Sequence, residues 1–298
     1  MLKNLPKKYH FSIEEKVIFH ISYFFYKFAT LYEVKSPKWK MFANELYYSA
    51  GKIFKTLAKY KLPYPLNNVS TRFGIYTIRP QALDVIWASP AFERRDINYL
   101  LKLLTKLTKH NKRILFLDVG ADFGAYAITV GNHFRNYPNL YIHAYEPFKE
   151  SYELLKTNIV NNKLELKIVA HNFGLLDRND HVTLYLNLNP NDPGSNSVRE
   201  YVSLEKLSEV KIEVKCLDNT GLNYSDFDVI IFKIDVEGVE SLVLKGAINC
   251  LKSRVEKYIL VEDFVNTNII SNLENAGAVF DNKLTSYNSW WKILPINK

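Results

Sequence analysis

The sequence predicts an α/β fold, and two stretches carry that prediction. In residues 114–124, ILFLDVGADFG, a short apolar run ends in Asp118 and two glycines follow at Gly120 and Gly124. Ala125, Ala127, Ile128 and Val130 then open a buried helix. A strand, a glycine-bearing turn and a helix N-terminus make a ready site for a nucleotide-like ligand. In residues 229–246, VIIFKIDVEGVESLVLKG, a buried strand through Ile234 delivers Lys233, Asp235, Glu237 and Glu240 to its end. Gly238 then turns the chain into a helix carrying Leu242, Val243 and Leu244. The length of 298 residues accommodates one large α/β domain and an extra element.

The first loop is not the dinucleotide fingerprint. Its spacing is G-x-x-x-G, with an acid two residues before the first glycine. A diphosphate wants a helix N-terminus clear of negative charge. An acid there suits a ligand with a cationic end, such as the amino group of S-adenosylmethionine. Gly120, lacking a Cβ, lets the backbone turn sharply and come close to a ligand. Gly124 is expected to let the helix pack tightly on the strand. A plain αβ connection would carry the same glycines.

Composition bounds the class. Hydrophobic residues make up 47% of the chain and charged residues 23%, which is globular rather than disordered. Cys216 and Cys250 are too few for a disulfide framework, and no CxxC or His/Cys cluster suggests zinc. The expected setting is reduced and cytoplasmic. The net charge of +8 is unevenly placed. Residues 1–72 carry 13 Lys and Arg against 4 Asp and Glu, and the remainder is nearly neutral. The front of the chain is therefore suited to an anionic surface, while the rest does something else. The most apolar early run, residues 17–26, contains His20 and Ser22 between Lys16 and Lys27. It is too short and polar to span a bilayer. Glu14 and Glu15 spoil a signal-peptide reading.

The elements follow in order. Ser12 and Glu15 form a capping box, so a helix should start there, with Val17, Ile18, Ile21, Phe24, Phe25 and Phe28 on one face. Ser36-Pro37 opens a second helix, with Trp39, Phe42, Leu46, Tyr47, Ile53, Phe54 and Leu57 opposite a lysine-rich face. This extension is either a helical cap with solvated lysines or a basic, aromatic surface for an anionic membrane or lipid-linked substrate, making the protein peripheral at the membrane. Residues 73–78 read as one strand of a small hairpin, 87–96 as a connector and 97–109 as a helix. Residues 140–146, LYIHAYE, read as the second strand of the sheet. Its terminal Glu146 is placed to accept both ribose hydroxyls of a nucleoside, although a surface Glu at a strand end reads the same way. A helix over 148–160 and a strand over 166–170 come next. In the following loop, Phe173 would stack on a base, and Asn172 or a neighbouring backbone group would hold its exocyclic amine. A Phe packed in a turn is the alternative. Residues 182–186 form an edge strand, and 187–198 a loop suited to a mobile substrate contact or an inert excursion. Asn189-Pro190 does not continue as an amino-methylating NPPY motif.

Acids at the end of a buried strand are costly unless paired or bound to a ligand. If the strand continues past Ile234, alternation puts Lys233, Asp235 and Glu237 on one side. Asp235 or Glu237 is then a candidate to take a proton or bind a metal; a salt-bridged strand end is the bland alternative. Residues 258–261 are a further strand ending in Glu262-Asp263, which places a second acid pair on the same edge. A helix over 269–275 and an antiparallel pair over 278–280 and 290–294 close the chain.

The loop at 114–124, Tyr145-Glu146-Pro147, residues 174–177, the K-I-D-V-E-G-x-E stretch at 233–240 and Val261-Glu262 together resemble the FkbM family of S-adenosylmethionine-dependent methyltransferases. The 233–240 stretch is the most specific part. The resemblance covers residues 72–298, leaving 1–71 as a basic helical extension. It implies a Rossmann-like, seven-stranded, mostly parallel sheet of class I methyltransferase type with helices on both faces and an antiparallel last strand. It implies S-adenosylmethionine at Asp118, Gly120, Gly124 and Glu146, with Ala121, Asp122, Phe148, Asn172 and Phe173 around it. The family usually carries Asn where Asp122 stands, and a second Pro or Asn near Phe148. Asp122 would add negative charge beside the methionine end of the cofactor.

Methyl transfer to the hydroxyl of a sugar, glycan or related metabolite is the activity this resemblance implies. A hydroxyl needs its proton taken, so Asp235 or Glu237 is the candidate base, with Lys233 orienting it and Glu262 alongside. A divalent metal held by Asp235 and Glu262 is the alternative device. An RNA methyltransferase using the basic helices ranks lower, because the lysines are confined to the extension and no RNA-binding motif is present. A non-catalytic, membrane-surface protein on a methyltransferase fold is the third reading.

Overall fold

The computed structural model describes residues 66–71, 73–79, 84–88, 93–187, 196–198, 207–263, 268–285 and 287–295. The helices expected before residue 64 and most of the loop expected over 187–198 lie outside them. The chain divides into two compact units, the second beginning at Arg95.

In the first unit, β1 (Leu66–Ser70) pairs antiparallel with β2 (Ile75–Ile78). Thr71 Oγ1 accepts the N–H groups of Phe73 and Gly74 at 3.0 and 3.2 Å, closing the turn. The expected hairpin is therefore present. A short helical turn, α1 (Asp84–Trp87), precedes the expected connector and meets it at Trp87. Its buried Asp84 takes the Arg79 guanidinium at 2.9 Å.

The second unit opens with α2 (Arg94–Lys109), whose Ile97, Leu100, Leu104 and Leu107 recur at helical spacing and are buried. Asp96 on this helix accepts the Trp290 indole N–H at 2.8 Å, and the Tyr99 hydroxyl donates to Asp281. The remaining strands are β3 (Ile114–Val119), β4 (Leu140–Tyr145), β5 (Ile168–His171), β6 (Gly174–Leu175), β7 (Asp180–Asn187), β8 (Leu207–Lys215), β9 (Val229–Ile234), β10 (Glu256–Glu262), β11 (Val279–Asn282) and β12 (Asn288–Ile293). The helices are α3 (Ala125–His133), α4 (Lys149–Asn161), α5 (Glu240–Gly246), α6 (Ile248–Lys252) and α7 (Asn268–Asn275).

Seven strands form one sheet in the order β11-β12-β10-β9-β3-β4-β5. Neighbours from β10 through β5 are parallel, and β12 runs antiparallel to both β10 and β11. All six residues of β3 and of β9 are buried, as expected for central parallel strands covered on both faces. From β3 the chain moves to β4 and β5 on one side, and β9 and β10 extend the other. The carboxyl ends of β3 and β9 therefore flank the point where strand order reverses, where ligands of such sheets bind.

Two expectations change. The third strand starts at Ile168 rather than at Leu166, which is fully exposed. The edge strand over 182–186 is an edge, but of a separate three-stranded sheet in the order β6-β8-β7. Its inner residues Val182, Leu184, Ile212 and Val214 pack with Leu176, Val239, Phe148 and Val236. This sheet therefore lies against the segment that follows β9.

Two glycines are required by close packing. A Cβ on Gly120, at φ +79, would lie 1.8 Å from the Asp235 carbonyl oxygen, and one on Gly246 would lie 1.8 Å from the Leu176 carbonyl oxygen. Gly221 also has positive φ, with nothing within 4 Å of its missing Cβ. Gly120→Ala and Gly246→Ala should each lower the unfolding free energy by about 3 kcal/mol or more, through a backbone clash. Gly221→Ala should cost only about 1 kcal/mol for its left-handed conformation. Urea midpoints of the three variants check the ranking.

Candidate active site

The expected site residues converge at the carboxyl edge of the seven-stranded sheet. Asp118 is the fifth residue of β3 and is 1% exposed. Its Oδ2 accepts the Ala127 N–H at 2.9 Å, tying the strand to the first turn of α3, while its Oδ1 has no hydrogen-bond partner. Burial pushes its carboxyl up to about 6, against the pull of the Lys233 ammonium and the Ala127 N–H.

The glycine loop is held from the next strand. Gly120 N and Ala121 N donate to the Tyr145 carbonyl at 3.1 and 3.0 Å. The approach expected between Gly120 and a ligand is here also an approach to the Asp235 carbonyl. At Gly124 a Cβ would meet Leu155 on α4 at 2.7 Å, so the tight contact is between helices rather than with the strand. Asp122 adopts positive φ, and its carboxylate accepts from the Ser151 hydroxyl at 2.7 Å.

Glu146 follows β4 and is largely buried. Its two carboxylate oxygens accept the N–H groups of Asp122 at 2.9 Å and Phe148 at 2.8 Å. Two carboxylate oxygens at a strand end match the two vicinal hydroxyls of a ribose in number and spacing. Asn172 donates its side-chain amide to the Glu146 and Pro147 carbonyls at 3.0 and 3.1 Å, and so fixes the turn carrying this acid. The Phe173 ring lies 5.6 Å from Tyr145 and 5.3 Å from His171, with Lys215 Nζ at 4.3 Å over its centre. Phe148 packs with the three-stranded sheet.

The second group lies after β9. The strand ends at Ile234, so the alternation assumed for Lys233, Asp235 and Glu237 stops before the acids. Asp235 N donates to the Val119 carbonyl, and Glu237 and Gly238 both take positive φ. Lys233 Nζ pairs with Asp235 Oδ2 at 2.8 Å, and its side chain is 8% exposed. The same ammonium sits 5.2 Å from the centre of the Tyr126 ring. Glu240, 2% exposed, accepts the N–H groups of Gly238 at 2.9 Å and Val236 at 3.2 Å. Ser197 donates its hydroxyl to the Glu237 carbonyl at 2.7 Å. Sequence reading placed Glu240 near the site but did not assign it this loop-holding role. No local signal marks Ser197, whose partner is 40 positions away.

Glu262 ends β10. Burial first, then the charges of Asp235 and Glu237, push its carboxyl up to about 9, with Lys233 opposing. Its neighbour Asp263 is satisfied by Lys283 at 2.8 Å. Among the described residues no group of three or more His, Cys, Asp or Glu is arranged to hold a metal ion. The alternative of a metal held by Asp235 and Glu262 thus lacks a third ligand of these types among the described residues. No helix among them is long and apolar enough to cross a membrane.

A glycine loop and a strand-end carboxylate at the switch point of such a sheet define the class I methyltransferase architecture. A family model described as the methyltransferase FkbM domain matches residues 118–280, more than half of the chain. The chain belongs to the FkbM family of S-adenosylmethionine-dependent methyltransferases.

Solved structures similar to the chain include methyltransferase FkbM from Methylobacillus flagellatus KT, at 14% identity and TM-score 0.40, covering 59% of this chain and 42% of that one. The human methyltransferase 10 domain containing protein matches at 14% identity and TM-score 0.38, covering 66% and 78%. The N-terminal domain of human METTL16, in complex with SAH, matches at 12% identity and TM-score 0.39, covering 66% and 69%. The chain spans less than half the length of the Methylobacillus protein. No curated protein matches it. At these identities and scores, family membership rests on the domain match.

The site fits the family's cofactor on its own chemistry. The buried, partnerless Asp118 Oδ1 and the surrounding acids suit a ligand with cationic ends, and Glu146 suits a ribose.

Glu240→Ala leaves two N–H groups without an acceptor and should cost about 2–4 kcal/mol of stability, whereas Glu240→Gln keeps an acceptor oxygen and should cost less than half as much. Denaturant titration compares them. The raised carboxyls set a pH dependence. A group whose folded value is raised contributes stability below its unfolded value, and loses it as pH rises through the folded one. For Asp118 that loss is complete just above pH 6, and for Glu262 it runs on through about 9. The thermal midpoint should therefore fall between about pH 7 and 9, and Glu262→Gln should flatten that slope.

Proposed function

We propose that this chain transfers a methyl group from S-adenosylmethionine to a hydroxyl oxygen of a sugar, glycan or related hydroxylated metabolite. The observation that carries this reading is the Lys233–Asp235 pair at the end of β9, set directly against the glycine loop through the Asp235 carbonyl. The cofactor, when bound, supplies an electrophilic methyl on a sulfonium sulfur. Asp118 and the Gly120–Ala121 backbone would face its methionine end, and Glu146 its ribose. Asn172 and Ser151 hold the segments that present these groups.

The acceptor hydroxyl must lose its proton as the new oxygen–carbon bond forms. Asp235 takes that proton, and Lys233 orients its carboxylate. Most of the rate gain comes from alignment, because the oxygen must lie in line with the methyl carbon and the sulfur. The basic residues 1–71 would bring an anionic surface or lipid-linked acceptor to this domain, which we take to span 72–298.

Titration calorimetry with S-adenosylmethionine tests the cofactor site. Wild type should bind in the micromolar range, and Glu146→Ala should weaken binding by about 2 kcal/mol or more, the scale of lost charge-assisted hydrogen bonds. With radiolabelled cofactor and a panel of hydroxylated sugars, Asp235→Asn should keep binding and lose roughly 100-fold or more in transfer. Full transfer by Asp235→Asn removes the base assignment.

A further inference from the structure

Asn187 pairs with Leu207, so residues 188–206 leave and return at one end of the β7–β8 hairpin. Within them Ser197 lies back on β7 as an isolated antiparallel bridge. Its N–H donates to the Tyr185 carbonyl at 3.1 Å, and its carbonyl accepts the Tyr185 N–H at 2.8 Å. The Ser197 backbone is thereby committed to the three-stranded sheet, and the residue is 3% exposed. The next residue, Val198, packs in the same apolar cluster as Val236 of the loop after β9. From this fixed position the Ser197 hydroxyl donates to the Glu237 carbonyl at 2.7 Å. The other end of that peptide unit is held as well, because the Gly238 N–H donates to Glu240, in the first turn of α5, at 2.9 Å. A peptide clamped at both its carbonyl and its N–H resists flipping. This one joins two residues of positive φ, +54 at Glu237 and +94 at Gly238. A residue with a side chain keeps such a conformation only where surrounding contacts over-determine it.

We propose that Ser197 is a positioning residue for methyl transfer: by holding the Glu237–Gly238 peptide in its left-handed turn, it lets the three-stranded sheet set where the Asp235 carboxylate stands. The inference deepens the methyl-transfer reading and rests on it. Asp235 lies two residues before that peptide. On its near side its N–H is fixed by the Val119 carbonyl at 3.1 Å, and its own carbonyl fills the hollow at Gly120. On its far side the chain direction is set by the clamped turn. With both sides fixed, the Asp235 side chain leaves the backbone in one direction, and Lys233 meets its carboxylate at 2.8 Å. A base must be placed this closely because the oxygen–methyl bond forms as the methyl–sulfur bond breaks, with the hydroxyl proton passing to Asp235 and a neutral thioether leaving. Ser197 touches none of the reacting atoms and acts through the backbone.

Amide hydrogen exchange of the purified full chain tests the clamp without an acceptor. In Ser197→Ala the amides of residues 236–238 should exchange about tenfold faster than in wild type, while the thermal midpoint falls by only about 2–6 °C. Ser197→Thr keeps the hydroxyl and should restore slow exchange. Thr183→Ala removes a hydroxyl of the same sheet that serves Lys211, and should leave those amides within about twofold of wild type. The affinity of Ser197→Ala for S-adenosylmethionine, by calorimetry, should stay within about threefold of wild type, because the glycine loop and Glu146 keep their own partners. With an acceptor from the panel of hydroxylated sugars, Ser197→Ala should lose about tenfold in kcat with KM within about twofold, and Ser197→Thr should recover most of it. Exchange at 236–238 unchanged in Ser197→Ala, Ser197→Thr no better than Ser197→Ala, or a loss confined to KM overturns the proposal. Absence of cofactor binding by wild type would instead overturn the methyl-transfer reading and leave the exchange result standing.

Discussion

The Asp235 carbonyl oxygen occupies the space that a side chain on residue 120 would fill, and this contact joins the two halves of the site. It brings the loop after β9 onto the loop after β3, at the place where the strand order of the sheet reverses. Asp235 N–H reinforces it from the same segment by donating to the Val119 carbonyl. Gly120 N and Ala121 N are in turn held by the Tyr145 carbonyl, so β4 is tied into the same junction. A residue with a side chain at position 120 would part these elements. The glycine is thus a packing requirement before it is a ligand contact.

Around that junction the charges are arranged in a graded way. Asp118 is buried deepest, Lys233 lies across from it on the paired strand and pairs with Asp235, and Glu262 ends the neighbouring β10. Several acids around one lysine would repel one another in a water-poor site, and two answers are visible. Burial and mutual repulsion favour the neutral form of Glu262, and a cationic cofactor would offset the remainder. Backbone N–H groups stabilise other acids locally: Glu240 takes two, Glu146 takes two and Asp118 takes one. The same acids that hold loops in place therefore leave a site biased towards positive charge.

The three-stranded sheet adds a second support. Its apolar face packs on Val236, Val239 and Phe148, and Ser197 reaches the Glu237 carbonyl. The segment between β7 and β8 is thereby connected to the loop that carries the proposed base. Glu237 and Gly238 hold left-handed backbone conformations, and such conformations persist where surrounding contacts over-determine them. Glu240 on one side and Ser197 on the other provide that determination.

Much of this was legible in the chain. The apolar runs at β3 and β9, the glycines after Asp118 and the acid after β4 are local patterns, and local patterns specify strands, turns and strand-end positions. β8 follows the same rule, since Val210, Ile212 and Val214 alternate with charged residues. Its partner β7 was seen as an edge strand, but alternation alone does not say which sheet owns the edge. The sequence by itself determined the α/β class, the residues at the carboxyl edge and the family. The tertiary structure decided that Gly120 faces the Asp235 carbonyl, that Asn172 serves the Glu146 turn and that Phe173 packs on Tyr145. Those are contacts between residues far apart in sequence, set by strand order and register, and no pattern within a short window encodes them.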